Sequence, residues 1–325
     1  MLRLLQNEWM KMWSKKSTWA MVAILVIVVG GMLVLLRWIS SLEDGQAESG
    51  NVSIEAETAS PDWRMQTEAE KAALTQQLSD PSLKKTERAE LEEQRDIAEY
   101  RLKEDAAPYG EFDREQMIMD SSGIGQIAIL FSVIMAAGIV ATEFSEGTIK
   151  MLLARPVKRW KVLTSKYAAS ILFGALLMLV GFAVSVVLSY LLFPSGDGAE
   201  LAVKGGNVVE VSIWGRAIYY LALSFVTVIV YTTFAFMVGS VFRSGALAIG
   251  LSLFIYFMGG TVSMLLSKYA IAKYLFFSHE LVSQAQGMTL IEGMTMPFSA
   301  TVLAVYTILF LVVSYFIFTQ RDIKA

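Results

Sequence analysis

Apolar residues in this chain are gathered into runs too long for the core of a soluble domain. Six runs, 19–39, 122–142, 167–193, 216–242, 246–266 and 298–319, have the length a helix needs to cross a bilayer core of about 30 Å. The expectation is an all-α polytopic membrane protein with six transmembrane helices. Ahead of the first run, residues 1–18 have helical periodicity. Leu2, Leu5, Trp9, Met12 and Trp13 share one face, with Arg3, Asn7, Lys11 and Ser14 opposite. That pattern predicts an amphipathic helix lying in the membrane interface, an elbow into the first span. Residues 40–121 form the longest polar stretch. Ser60-Pro61 and Asp80-Pro81 each pair an N-cap residue with a proline at the first helical position. They predict an outer helical hairpin, its seam drawn from Met65, Ala69, Ala72 and Leu78 on one helix and Leu91, Ala98 and Leu102 on the other. Within 194–215, alternation on both sides of Gly205-Gly206 predicts a small outer β-hairpin. Residues 267–297 hold apolar pieces too short to cross, read as short outer helices, and 320–325 form a tail.

Charge assigns the sides. The 325 residues are 55% hydrophobic and 18% charged, below the roughly 25% charged of a soluble domain. The net charge of −3 hides an asymmetry: residues 42–120 hold 21 acidic against nine basic residues. Lys15-Lys16, the segment 143–166, Arg321 and Lys324 are basic, so short-loop charge predicts these on the cytoplasmic side, with both termini inside. The expected location is the plasma membrane. Cys is absent, which excludes disulfides and thiol chemistry. The first run has no cleavage-site pattern after it and is expected to serve as its own targeting signal.

The loop 143–166 carries the most order. Lys150, Arg155, Lys158, Arg159, Lys161 and Lys166 face only Glu143 and Glu146. Ile149, Leu152 and Leu153 fall on one helical face, and Pro156 stops that helix. A short amphipathic helix at the cytoplasmic surface suits docking into a groove of a partner. A basic loop that only sets topology accounts for the same charges.

Glu143, Glu146, Gly147 and Thr148, then Leu152-Leu153, Arg155-Pro156 and Arg159, with Lys166 at the start of the next span, resemble the first cytoplasmic loop of type-2 ABC transporter permeases. The span layout extends the resemblance over nearly the whole chain, and the outer segments are its least family-like part. The resemblance implies an exporter whose ATPase is a separate cytoplasmic chain, holding ATP and magnesium, and a second permease copy or paralogue beside this one. It implies that this loop is the coupling helix. Glu143, Glu146, Gly147 and Thr148 would position it, Leu152 and Leu153 would supply its apolar contact, and Arg155, Pro156 and Arg159 would lie at its end. The family's substrates include peptides, antibiotics, lipids and polysaccharides. The large outer hairpin favours a peptide, antibiotic or lipid-like one.

Two absences agree with that reading. No ionisable residue lies in the middle of a run, where ion-coupled carriers need one. No Gly-Lys pair occurs, so the chain has no P-loop of its own. His279 beside Glu280 is too small a set for a metal site. No catalytic residue, cofactor or metal is expected in this chain, no nucleic acid as partner, and membrane lipids around the spans. A different class remains open: a membrane sensor or immunity-type protein whose acidic outer hairpin captures a cationic peptide without pumping.

Overall fold

A computed structural model describes residues 1–48, 63–81, 83, 85–145, 158–242, 244–288, 291 and 293–320. In chain order the helices are α1 (Leu2–Trp13), α2 (Lys16–Glu48), α3 (Trp63–Leu78), α4 (Lys85–Glu104), α5 (Arg114–Asp120), α6 (Ile124–Ser145) and α7 (Arg159–Leu192). Strands β1 (Leu201–Lys204) and β2 (Asn207–Glu210) follow, then α8 (Ile213–Val241), α9 (Gly245–Leu266), α10 (Leu281–Ala285) and α11 (Met296–Gln320). Short 3₁₀ turns occupy Ala270–Tyr274 and Phe276–Ser278. Among the described residues six helical stretches are long and apolar enough to cross a membrane: Lys16–Leu42, Arg114–Glu143, Arg159–Leu192, Ile213–Val241, Gly245–Leu266 and Met296–Gln320. The protein is an all-α polytopic membrane protein with one small antiparallel sheet.

Burial separates the spans. Ala128, Val133, Ala136, Ala137 and Ala141 of α6 are fully buried. By contrast, Ile27 and Val34 of α2, Phe254 and Phe257 of α9, and Ile308 and Val312 of α11 are exposed. Large exposed apolar side chains over whole helical faces are what a bilayer as solvent allows. The third span differs from the sequence expectation at its start, since its helix opens at Arg159 rather than 167. Val162 and Leu163 in those added turns are buried, so apolar packing carries the helix out beyond the apolar run.

The chain divides into two compact units. The first comprises Met1–Ile27, Ser122–Phe182 and Leu221–Ala325. Its core centres on Phe276, held in a 3₁₀ turn, whose ring meets those of Tyr231, Phe234, Tyr306 and Phe310 at centroid distances of 5.5, 5.2, 5.6 and 5.4 Å. The short pieces after α9 are therefore packed into the helices rather than free of them. Gly259 of α9 admits this packing: a Cβ there would lie 2.8 Å from that of Phe277, whereas Gly260 faces open space.

The second unit comprises Val28–Ser121 and Ala183–Tyr220. Here α3 and α4 pair as a hairpin. On α4, Ala98 is buried and Leu91 and Leu102 are half-buried, as the sequence pattern expects. On α3 the seam is different. Leu78 is half-buried as expected, but Thr67 and Leu74 are buried and Lys71 half-buried, while Met65, Ala69 and Ala72 are exposed. Two leucines and a lysine stem offer more apolar area than two alanines and a methionine, and Lys71 keeps its ammonium at the edge, 3.7 Å from Glu99. The second hairpin helix opens at Lys85, not at Pro81, because Ser79 and Asp80 still close the end of α3 through bonds to Gln76 and Gln77 carbonyls. The sheet pairs Leu201 with Glu210 and Lys204 with Asn207. Gly205 and Gly206 both have positive φ, +61° and +81°, as a two-residue hairpin turn requires. Arg101 ties the hairpin to the rest of this unit, donating from Nη1 to the Ala106 and Ala199 carbonyls at 3.2 and 3.0 Å.

Candidate functional site

The described ends of the loop 143–166 meet a cluster of four charges in the first unit. Glu143 lies in the last turns of α6 with its side chain 4% exposed, and Lys166 lies eight residues into α7 at 1%. Glu143 Oε1 accepts from Lys166 Nζ at 2.6 Å and from Lys11 Nζ at 2.8 Å. Lys166 Nζ also donates to Glu8 Oε2 at 2.9 Å. Glu8 and Lys11 stand one turn apart on α1, so both reach the same place. The cluster thus alternates acid and base across three helices and joins α1 to both stems of the loop.

Local chemistry fixes the approach of α1. Its helix ends at Trp13, and the corner into α2 is closed by side chains. Thr18 Oγ1 donates to the Met12 carbonyl at 2.6 Å, and Trp19 Nε1 to the Trp13 carbonyl at 3.1 Å. The rings of Trp9, Trp13 and Trp19 stack edge to face along this corner, at 5.9 and 4.9 Å. Met12 is buried, which turns the Glu8–Met12 face inward. The far stem is held separately. Arg159 Nη1 donates to the Thr319 carbonyl in the last turn of α11 at 3.3 Å, a cation at the negative end of a helix. Thr164 Oγ1 and the Tyr315 hydroxyl lie 2.6 Å apart.

Buried ion pairs gain little over a well-packed apolar pair, but loss of one partner leaves a bare charge out of water. The cluster therefore specifies where α1, α6 and α7 meet more than it adds to stability. Of the residues singled out by sequence, the structure places Glu143 and Arg159. Both sit at the stems, Glu143 buried on Lys166 and Lys11, Arg159 on α11. Glu146, Gly147, Thr148, Leu152, Leu153, Arg155 and Pro156 lie outside the described residues. Sequence reading placed Lys11 on the polar face of α1 and gave Glu8 no role. The signal was an acid and a base three apart on an otherwise amphipathic helix.

His279 is buried in the first unit. Its Nε2 lies 3.0 Å from the Lys273 carbonyl and must donate, so Nδ1 accepts from the Ser299 hydroxyl at 2.9 Å. Ser299 in turn accepts from Gln284 Nε2 at 2.8 Å. Burial lowers the His279 pKa, only partly offset by its backbone hydrogen bond. This is a neutral histidine serving packing. Glu280 turns elsewhere, accepting from Gln126 Nε2 at 3.0 Å. Among the described residues no three His, Cys, Asp or Glu converge as a metal site would need.

The fold and this cluster define a multi-pass membrane protein whose amphipathic first helix is pinned by buried charge to the stems of one loop. The chain belongs to the family described as protein of unknown function DUF2705, whose model matches residues 104–324. It is similar to the uncharacterized protein YhcI of Bacillus subtilis strain 168, 35% identical over 331 residues covering 99% of each chain. It is also similar to the uncharacterized membrane protein YdbK of the same organism, 30% identical over 206 residues, 59% of this chain and 76% of YdbK.

Proposed function

We propose that this protein is the permease subunit of an ATP-driven exporter of the type-2 ABC kind, forming the transmembrane path for a peptide, antibiotic or lipid-like substrate. In this reading the chain sits in the plasma membrane with both termini in the cytoplasm. It pairs with a second permease and docks two ATPase chains, which hold ATP and magnesium. The chain itself is not an enzyme. The observation that carries the reading is the anchoring of the loop at both stems. Glu143 and Lys166 lock the entering and leaving helices together, and Arg159 locks the leaving helix to α11. A loop that only set topology would need no such fixed base, whereas a loop that receives force from a partner must pass it to the spans.

The test is the apolar face of the loop. Burying a Leu side chain is worth roughly 1.5–3 kcal/mol, so Leu152→Ala with Leu153→Ala weakens binding of the cognate ATPase tenfold or more, at about 1.4 kcal/mol per decade. Co-purification and ATP turnover in nanodiscs, with and without substrate, read this out. Unchanged binding and unchanged stimulated turnover in the double variant would reduce the loop to a topology signal.

A further inference from the structure

The charge cluster borders a cavity of about 190 Å³ in the first unit, lying where α1 turns into α2 and meets α6. Its lining is of two kinds: Met12, Met21, Ile134, Met135 and Ile139 are apolar, while Glu8, Lys11, Lys15, Glu143 and Lys166 are ionic. We infer that this cavity binds one anionic phospholipid, with its phosphate at Lys15 and part of an acyl chain against the methionine and isoleucine wall.

Charge selects the headgroup. Three ammonium groups line the cavity against two carboxylates. Both carboxylates accept from Lys166, and Lys11 also rests on Glu143. Lys15 makes no ion pair among the described residues and is exposed. Among the described residues of the lining one positive charge is left over, at the corner where an amphipathic helix meets a membrane span. An interfacial helix running into a span puts such a corner at headgroup depth, where basic sites between helices hold anionic lipid. A zwitterionic headgroup brings its own cation toward Lys11 and Lys15, while the carboxylates that could receive it are already engaged. The apolar wall separates a lipid from a free phosphate. Apart from Met12 it belongs to α2 and α6, both long and apolar enough to cross a membrane, and gives inorganic phosphate nothing to touch. Methionines make such a wall adaptable to a chain.

Delipidated full-length protein is titrated with phosphatidylglycerol, with phosphatidylcholine of the same chains, and with inorganic phosphate, and bound lipid is counted by native mass spectrometry. One phosphatidylglycerol is expected to remain bound under conditions that strip phosphatidylcholine, and phosphate is expected not to compete. Lys15→Gln, at an exposed position outside the ion pairs, lowers the phosphatidylglycerol affinity about fivefold. Ile139→Trp fills the space along the apolar wall and removes the bound lipid. Equal retention of both lipids, or a phosphatidylglycerol preference that survives both substitutions, would overturn the inference; displacement by inorganic phosphate would make it a plain anion site. No ATPase is present in the measurement, so its failure and that of the transport reading are separate.

Discussion

The charge cluster of the first unit and the helical hairpin of the second handle charge in opposite ways. In the first, four charged residues form a chain of short contacts, with Lys166 and Glu143 almost wholly out of solvent. In the second, the hairpin carries far more charge, but its pairs are open to water. Lys71 and Glu99 are 3.7 Å apart with side chains 36% and 58% exposed, and Arg64 with Asp105 are more exposed still. Coulomb attraction falls with the dielectric and exposed pairs are screened by salt. The hairpin's charges are therefore a solvated surface, and its fold rests on Leu74, Ala98 and the Arg101 bonds. The cluster's charges are a geometric device whose members depend on one another.

The comparison breaks most visibly at Lys166. Lys166→Met leaves Glu143 and Glu8 without their shared cation, and breaking a buried pair costs about 3–5 kcal/mol. Thermal unfolding in detergent is expected to show a large loss, with poor membrane accumulation. Adding Glu143→Leu to Lys166→Met removes both ends of the inner contact and restores much of that loss. A double variant as unstable as the sum of its singles would mean that the two residues are not coupled.

A smaller effect sharpens the boundary between buried charge and buried polarity. His279 is buried, but its hydrogen bonds suit the neutral ring, and its pKa is lowered by burial. In the unfolded chain the ring takes a proton near its ordinary value of about 6.5. The unfolded state therefore binds more protons as pH falls below that value, and stability drops with it until the lower folded pKa is reached. Above about pH 7 the residue contributes no slope. Melting temperatures followed from pH 7.5 to 5 are expected to fall more steeply for the wild type than for His279→Gln. Parallel curves would show that the ring does not titrate between the two states.

These two clusters also mark how far the sequence could be read. The spans were legible because a bilayer demands uninterrupted apolar length, and length survives without knowledge of partners. The β-hairpin was legible because two adjacent glycines with positive φ have few other uses. The α3 seam was not. Alanines at Ala69 and Ala72 counted as apolar in the pattern, yet Lys71 contributes more buried carbon through its stem. The charge cluster was half legible. Glu143 and Lys166 belong to the loop's own pattern, but Glu8 and Lys11 lie more than 130 positions away, and nothing in a single sequence pairs them. Most of the loop's expected docking face, from Glu146 to Pro156, falls outside the described residues, so its assignment rests on pattern and on the stems.

The smallest effect belongs to the hairpin's own ion pair. Lys71 and Glu99 lie at the edge of the seam, Lys71 with its stem along α4 and its ammonium in water. Exposed pairs of this kind measure roughly 0–1 kcal/mol, and salt weakens them further. Glu99→Gln keeps the size of the side chain and removes only the charge. It is expected to shift the unfolding midpoint of the full-length protein by no more than a degree or two, and the shift should vanish in molar salt. Lys71→Ala also deletes the stem that covers the seam, so its loss should exceed that of Glu99→Gln and persist in salt. Equal, salt-sensitive losses from both substitutions would show that the hairpin rests on its ion pair rather than on its apolar seam, and the contrast with the buried cluster would fail.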